Sequence, residues 1–308
     1  MRVVIVGAGV VGAATGKGFA RRGHAVTFVD VDVRRVDQLR AEGYAATAEL
    51  DLRGPSALVM LSVPTPAGPA GYDLTALEGA STAVGEALGH AEELPTVVLR
   101  STVAPGTCER VVQPILEDRS GLAVGDGFAI ASNPEFLRAE SALEDFLSPW
   151  MTVLASRSKR TRERLAELYR PFGGTLRTFA DPATAELVKV AHNLFNAAKI
   201  SFWNEIWMVA QQIGVDADDV AQTVARSAEA AWNPDYGTRG GRPFGGACLP
   251  KDTRGFVGFG HELGLQIPMA EAVERVNQLI SEIDHGMTVD LREGAPALGP
   301  VIPPSAGR

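Results

Sequence analysis

Four consecutive β-branched residues, Val3–Val6, run directly into Gly7-Ala8-Gly9-Val10-Val11-Gly12. An unbroken run of this kind reads as a parallel strand buried on both faces. Helical sequence then continues to Arg22. A GxGxxG pattern alone is weak, but after a strand and at the start of a helix it has the context of a dinucleotide site. In that context Gly7 makes the tight turn, Gly9 admits the pyrophosphate and Gly12 lets helix and strand pack closely. The first-turn amides at Val10 and Val11 then face phosphate at the positive end of the helix dipole. A second strand, Ala25–Val29, ends at Asp30, eighteen positions after Gly12. An acid there accepts the adenosine ribose hydroxyls and repels a 2′-phosphate, so NAD is favoured over NADP. Asp32 is placed to share that role, and Arg34 and Arg35 keep an NADP reading open, with Arg35 counted among the cofactor contacts.

Strand and helix signals continue to alternate. Ala57–Ser62 reads as a strand that Val63-Pro64-Thr65-Pro66 breaks. Pro95–Arg100 is another, ending in Ser101-Thr102, and Phe128–Ala131 a third, running into Ser132-Asn133-Pro134-Glu135-Phe136-Leu137. Ligands of doubly wound sheets bind outside the carboxyl ends of the strands. Val63, Pro64, Thr65, Ser101 and Thr102 are therefore candidate cofactor residues, and Glu135 a site carboxylate. Cys108 falls on a helix after Pro105 and is read as structural.

Asp181-Pro182 supplies an N-cap and a first-turn proline for a helix that nothing interrupts until about Ile213. Such a helix is about 45 Å long. Its aromatic flank, Phe195, Phe202, Trp203 and Trp207, suggests a homodimer interface, with plain core packing as the alternative. Lys189 and Asn193 are four residues apart and share a face. Such a pair on an otherwise apolar helix suggests donors aimed at a developing oxyanion. His192, at the edge of that stripe, is read as packed or surface-exposed. A shorter helix is expected near Asp216–Ala231. A loop with Arg239 and Arg242 follows, suited to a phosphorylated substrate or to plain solvent. Then comes Phe244-Gly245-Gly246-Ala247-Cys248-Leu249-Pro250-Lys251-Asp252. A thiol behind two glycines, with a cation and a carboxylate nearby, reads as a nucleophile, and Pro250 as fixing a turn after it. Further helices are expected near Thr253–Leu263 and Met269–Ile283.

The expected architecture is α/β. Residues 1–180 form an NAD-binding, doubly wound parallel sheet, and 181–285 an all-α domain built on the long helix and carrying Cys248. Residues 286–308 form a fraying tail. The 308 residues suffice for two filled cores, and a net charge of −8 argues against nucleic acid or an anionic membrane as partner. No apolar run is long enough to span a bilayer. Two cysteines and five histidines give neither a disulfide framework nor a metal site, which places the chain in a reducing cytoplasm.

Taken together, six stretches resemble the UDP-glucose/GDP-mannose dehydrogenase family: Gly7–Gly12, Val63–Pro66, Arg100–Val103, Asn133–Arg138, Ala185–Asn193 and Gly245–Asp252. The resemblance implies a twofold, NAD-dependent oxidation of a sugar-nucleotide primary alcohol to a carboxylate. It makes Cys248 the nucleophile, and Lys189 and Asn193 the oxyanion donors. Asp252 would orient or deprotonate water, with Glu135 and Thr102 acting at sugar and water. Lys251 would serve the cofactor, and Phe136, Leu137, Arg239, Arg242, Phe244, Gly245 and Gly246 the substrate. Three departures stand out. The family's third, substrate-nucleotide domain has no counterpart here, Ala139 replaces a usual second glutamate beside Glu140, and Pro149-Trp150-Met151 lacks a usual basic residue. Either another chain then completes the site, or the substrate is smaller or differently shaped, such as a nucleoside or an unusual sugar nucleotide. Two other readings remain: a two-electron hydroxyacid dehydrogenase of the 6-phosphogluconate type, and a noncatalytic NAD-binding relative.

Overall fold

A computed structural model describes residues 1–55, 57–68, 71–227, 233, 237, 241–246 and 248–285. It divides into two compact units, Met1–Leu194 and the chain from Phe195 onward. The expected tail at 286–308 lies outside the described residues.

The first unit is α/β. Its strands are β1 (Arg2–Val6), β2 (Ala25–Val29), β3 (Ala45–Thr47), β4 (Ala57–Leu61), β5 (Ala67–Gly68), β6 (Gly71–Tyr72), β7 (Thr96–Leu99), β8 (Ala129–Ser132), β9 (Met151–Ala155) and β10 (Thr175–Phe179). Its helices are α1 (Val10–Arg21), α2 (Val33–Ala41), α3 (Thr75–Leu88), α4 (Gln113–Ser120), α5 (Ala142–Leu147) and α6 (Lys159–Tyr169). Eight strands form one sheet in the order β10-β9-β8-β7-β4-β1-β2-β3, while β5 and β6 make a separate antiparallel hairpin. The pairs from β3 to β8 are parallel. Strands β9 and β10 are parallel to each other, and β9 meets β8 antiparallel, through Ser132 and Ala155.

Side chains alternate across a strand, so a run buried on both faces needs apolar residues at every position. Strand β1 shows this. Val3 and Ile5 join one core with Phe19, Phe28, Leu39, Phe146 and Leu165, and Val4 and Val6 join the other with Leu77, Val84, Leu88 and Leu116. The chain order reverses between β1 and β4, the kind of switch point at which ligands of doubly wound sheets bind.

Helix α7 (Pro182–Ile213) has 32 residues and runs from the first unit into the second. Asp181 accepts the Ala183 N–H at 2.9 Å, as the sequence anticipates of its cap. Within the first unit, the buried Glu186 accepts the backbone N–H groups of Gly106 and Cys108, the latter at 2.9 Å, where a π-helical turn, Cys108–Val112, leads into α4. The second unit adds α8 (Ala217–Val224), α9 (Leu249–Glu262) and α10 (Pro268–Asp284). There Glu205, also buried, accepts the N–H groups of Met269 and Ala270 at the start of α10. Helix α9 begins four residues earlier than the sequence suggests. Pro250 lies in its first turn, where a missing N–H costs no hydrogen bond, and does not form a separate turn.

Burial is the main influence on Glu186 and raises its carboxyl above the ordinary 4.5, against the lowering effect of the N–H groups it accepts. A raised folded value means that the protonated form contributes stability, which is lost as pH climbs past 4.5 through that value. Thermal unfolding of wild type and Glu186→Gln across this window is expected to show a falling melting temperature for wild type relative to the variant. Parallel curves would contradict the assignment.

Candidate active site

The turn after β1 is built for close approach. Gly7 has φ +89°, and a Cβ there would stand 2.5 Å from the Ser62 carbonyl oxygen. A Cβ on Gly12 would stand 1.9 Å from the Gly7 oxygen, so no side chain fits between helix and turn. At Gly9, the N-cap of α1, a Cβ would meet nothing within 4 Å, and no side chain caps the helix. The first-turn amides at Val10 and Val11 thus border open space, the cradle a pyrophosphate requires. Asp30 closes the turn. Its Oδ2 accepts the Ala8 N–H at 2.7 Å and its Oδ1 the Asp32 N–H at 2.9 Å. A carboxylate has about four lone-pair sites, so capacity for ribose hydroxyls remains. Arg35 donates from Nε to the Ala8 carbonyl at 2.6 Å, which turns it to the loop's backbone. The residues present therefore fit NAD.

The next two strand ends are tied to each other. Ser101 Oγ donates to the Val63 carbonyl at 2.7 Å, and Thr65 Oγ1 to the Thr102 carbonyl at 2.5 Å. Val63, Thr65, Ser101 and Thr102 are part-buried at this edge, and Pro64 is exposed.

Beyond β8 lies the polar heart of the first unit. Lys189 of α7, only 5% exposed, places Nζ 2.8 Å from Glu135 Oε1. Glu135 Oε2 accepts the Leu137 N–H at 2.6 Å, and Lys189 also lies 5.3 Å from the Phe136 ring centre. A buried ammonium needs such compensation. An ammonium has three donors, so Lys189 can keep Glu135 and still donate to a substrate oxygen. Asn193 is exposed, with Oδ1 3.3 Å from His192 Nδ1. His192 packs edge-on to Phe136 at 5.2 Å and tilted on Trp150 at 5.5 Å, so it is a packed residue, as its position at the stripe's edge suggests. Nothing in the sequence pattern joins Trp150 to this cluster. Ala139 and Glu140 are exposed in a short turn, and Met151 starts β9.

In the second unit Cys248 is exposed at the N-cap of α9, where the helix dipole favours negative charge. Its carbonyl accepts the Asp252 N–H at 2.8 Å. Asp252 pairs with Lys251 at 3.1 Å, both well exposed. Gly246 has φ +79°, a conformation that side chains disfavour. Asn277 of α10, missed in the sequence, receives the Phe244 N–H at 2.7 Å and donates to its carbonyl at 3.1 Å. It thereby pins the start of the thiol segment. Gly245 and Arg242 are exposed, and Arg239 lies outside the described residues. Among the described residues no group of His, Cys, Asp and Glu suits a metal ion, and no helix is long and apolar enough to cross a membrane.

A strand–glycine turn–helix with an acid at the end of the second strand, at the switch point of a parallel sheet, defines an NAD-binding dehydrogenase domain. Comparison with known proteins narrows the class. The NAD binding domain of the UDP-glucose/GDP-mannose dehydrogenase family matches residues 1–54 and 45–173, and the family's central domain matches 183–279. GDP-mannose 6-dehydrogenase of Pseudomonas aeruginosa is 34% identical over 300 residues, covering 90% of this chain and 68% of that protein. UDP-glucose 6-dehydrogenase AglM of Haloferax volcanii is 34% identical over 304 residues, covering 90% and 69%. Among solved structures, a ternary complex of the Pseudomonas GDP-mannose dehydrogenase superposes with a TM-score of 0.84 at 32% identity, over 93% of this chain and 71% of that one. The chain belongs to the UDP-glucose/GDP-mannose dehydrogenase family. It is an NAD-dependent oxidoreductase acting on CH–OH groups.

The two thiols differ in access. Cys108 is fully buried, and burial, with Glu186 and Glu109 nearby, pushes its thiol well above the ordinary range. Brief iodoacetamide treatment of the native protein is expected to label Cys248 and leave Cys108 unmodified. Equal labelling by peptide mass spectrometry would rule out this difference.

Proposed function

We propose that the protein oxidises the primary alcohol of a sugar nucleotide to a carboxylate in two steps, with Cys248 holding the intermediate. The observation that carries this reading is an accessible thiol at a helix N-terminus, behind Gly245 and Gly246, in a chain of this family. Residues 1–180 serve the dinucleotide, and 181–285 supply the thiol. NAD, when bound, accepts the hydride of each oxidation. In the first, the hydroxyl proton leaves to water held near Thr102 or Glu135. Cys248 then adds to the aldehyde carbon, a carbon–sulfur bond forms, and the carbonyl oxygen becomes an oxyanion that Lys189 and Asn193 stabilise and that takes up a proton. The aldehyde hydrogen stays on that carbon, now tetrahedral, and its loss with the electron pair, while the hydroxyl proton passes to water, leaves a thioester. Water, giving its proton to Asp252 or Glu135, attacks the thioester carbonyl, breaks the carbon–sulfur bond and releases carboxylate and thiol. Phe136, Leu137, Phe244, Gly245, Gly246, Arg239 and Arg242 contact the substrate in this scheme, and Lys251 the cofactor.

The relatives' names support a sugar nucleotide as substrate. Wild type is expected to yield two NADH per carboxylate in a screen of sugar nucleotides. Cys248→Ala is expected to lose carboxylate formation by roughly a thousandfold, as deletion of a covalent nucleophile does. Undiminished turnover of that variant would instead favour a two-electron dehydrogenase, and NAD binding without any oxidation a noncatalytic relative.

We further propose that two copies pair through α7, whose Phe195, Ile200, Phe202 and Trp207 are 43–67% exposed in the single chain. Apolar surface of this extent favours association. Light scattering at micromolar concentration is expected to give twice the chain mass, and Phe202→Glu with Trp207→Glu to halve it. A wild-type monomer would sink the proposal.

A further inference from the structure

Arg100 follows β7 and is 3% exposed, yet its hydrogen-bond partners are neutral. Nε donates to Thr15 Oγ1 at 2.8 Å, and Nη1 to Asn133 Oδ1 at 2.7 Å and to the Asn133 carbonyl at 3.2 Å. The guanidinium also lies 5.5 Å from the Phe146 ring centre. Burying a cation among neutral groups costs more than filling the same space with an apolar chain. Packing alone therefore does not account for it.

The residues it joins lead to two different parts of the molecule. Thr15, fully buried, stands in the second turn of α1, the helix whose N-terminus forms the dinucleotide cradle. Asn133 is held from all sides. Its N–H donates to the Leu99 carbonyl at 2.8 Å and its Nδ2 to the Val153 carbonyl at 2.7 Å. Its Oδ1 accepts from Tyr169 at 2.5 Å as well as from Arg100. Only Pro134, with its fixed φ, separates it from Glu135. Fixing Asn133 thus fixes where the Glu135 carboxylate stands, and that carboxylate holds Lys189.

We infer that Arg100 is a positioning residue that locks the cofactor helix α1 to the strand end bearing Glu135, and so sets the place of the Glu135–Lys189 pair relative to the dinucleotide cradle. A guanidinium suits this task because its rigid fork donates in two directions at once. The linkage stands on these contacts, and only its effect on turnover rests on the dehydrogenase reading above.

The test uses the full chain with Arg100→Met, Arg100→Lys, Thr15→Val and Tyr169→Phe. Lys189 acetylation by acetic anhydride, followed by peptide mass spectrometry, reports the pairing without any activity. The exposed Lys159 is the internal standard. Lys189 labelling is expected to rise about tenfold in Arg100→Met and about threefold in Tyr169→Phe and Thr15→Val, with Lys159 unchanged, as opening of a hydrogen-bonded pair permits. NAD affinity, from cofactor fluorescence, should change by less than about threefold, while kcat of Arg100→Met falls about a hundredfold, the scale of a displaced catalytic group. Arg100→Lys should recover part of kcat. Unchanged Lys189 labelling in the folded variants would overturn the inference. Should Arg100→Met fail to fold, Tyr169→Phe, lacking one hydroxyl, decides by the same readout. An inert wild type would strike the dehydrogenase proposal, whereas an active wild type with unchanged labelling in the variants strikes the positioning role alone.

Discussion

Everything in the first unit depends on how closely α1 lies against the sheet. Three glycines on its inner side allow this. A Cβ at Gly12 would meet the Gly7 oxygen at 1.9 Å, one at Gly16 the Phe28 ring at 2.3 Å, and one at Gly18 the Phe146 ring at 2.1 Å. A methyl group at any of these places would lift the helix or displace a ring in a close-packed core. The close approach has two consequences. It sets uncapped first-turn amides beside the carboxyl end of β1, and it brings Thr15 within hydrogen-bond reach of Arg100. Cofactor binding and the order of the Glu135 loop thus share one steric cause.

Helix α7 orders its surroundings by another means. Its two buried carboxylates, Glu186 and Glu205, each accept backbone N–H groups at the start of another helical segment, one in each compact unit. The first turn of a helix leaves its N–H groups without internal partners, and a buried carboxylate satisfies them while the dipole offsets part of its desolvation. Lys189, one turn beyond Glu186, is buried as a cation and stabilised by Glu135 and the Phe136 ring. One helix therefore presents buried carboxylates where amides need acceptors and a buried lysine where Glu135 needs a partner.

Much of the fold was legible because the local signals agreed. The apolar runs of β1, β2, β4, β7 and β8 are flanked by glycine or proline breaks, and Asp181-Pro182 announces α7. Other parts were not. The two-residue strands β5 and β6 are too short for periodicity to register, and β9 and β10 lie at a sheet edge where their direction depends on the pairing of Ser132 with Ala155. Pro250 illustrates an ambiguity of chemistry, because a proline after a thiol suits a turn as well as the first turn of a helix. Within the site, Lys189 and Glu135 were each readable as functional, but their ion pair joins residues 54 positions apart. The mutual contact of His192, Phe136 and Trp150 and the grip of Asn277 on Phe244 escaped for the same reason.

The sequence by itself determined the dinucleotide turn, its preference for NAD, the family and the inventory of reactive side chains, because spacing along one strand and one helix fixes those features locally. Tertiary structure decided which of those side chains are sheltered, which are open and which are neutralised. It buried Cys108 and exposed Cys248, paired Lys189 with Glu135, and set the buried Arg100 between α1 and Asn133. Burial and pairing arise from contacts between distant segments, and those contacts exist only once the layers have packed.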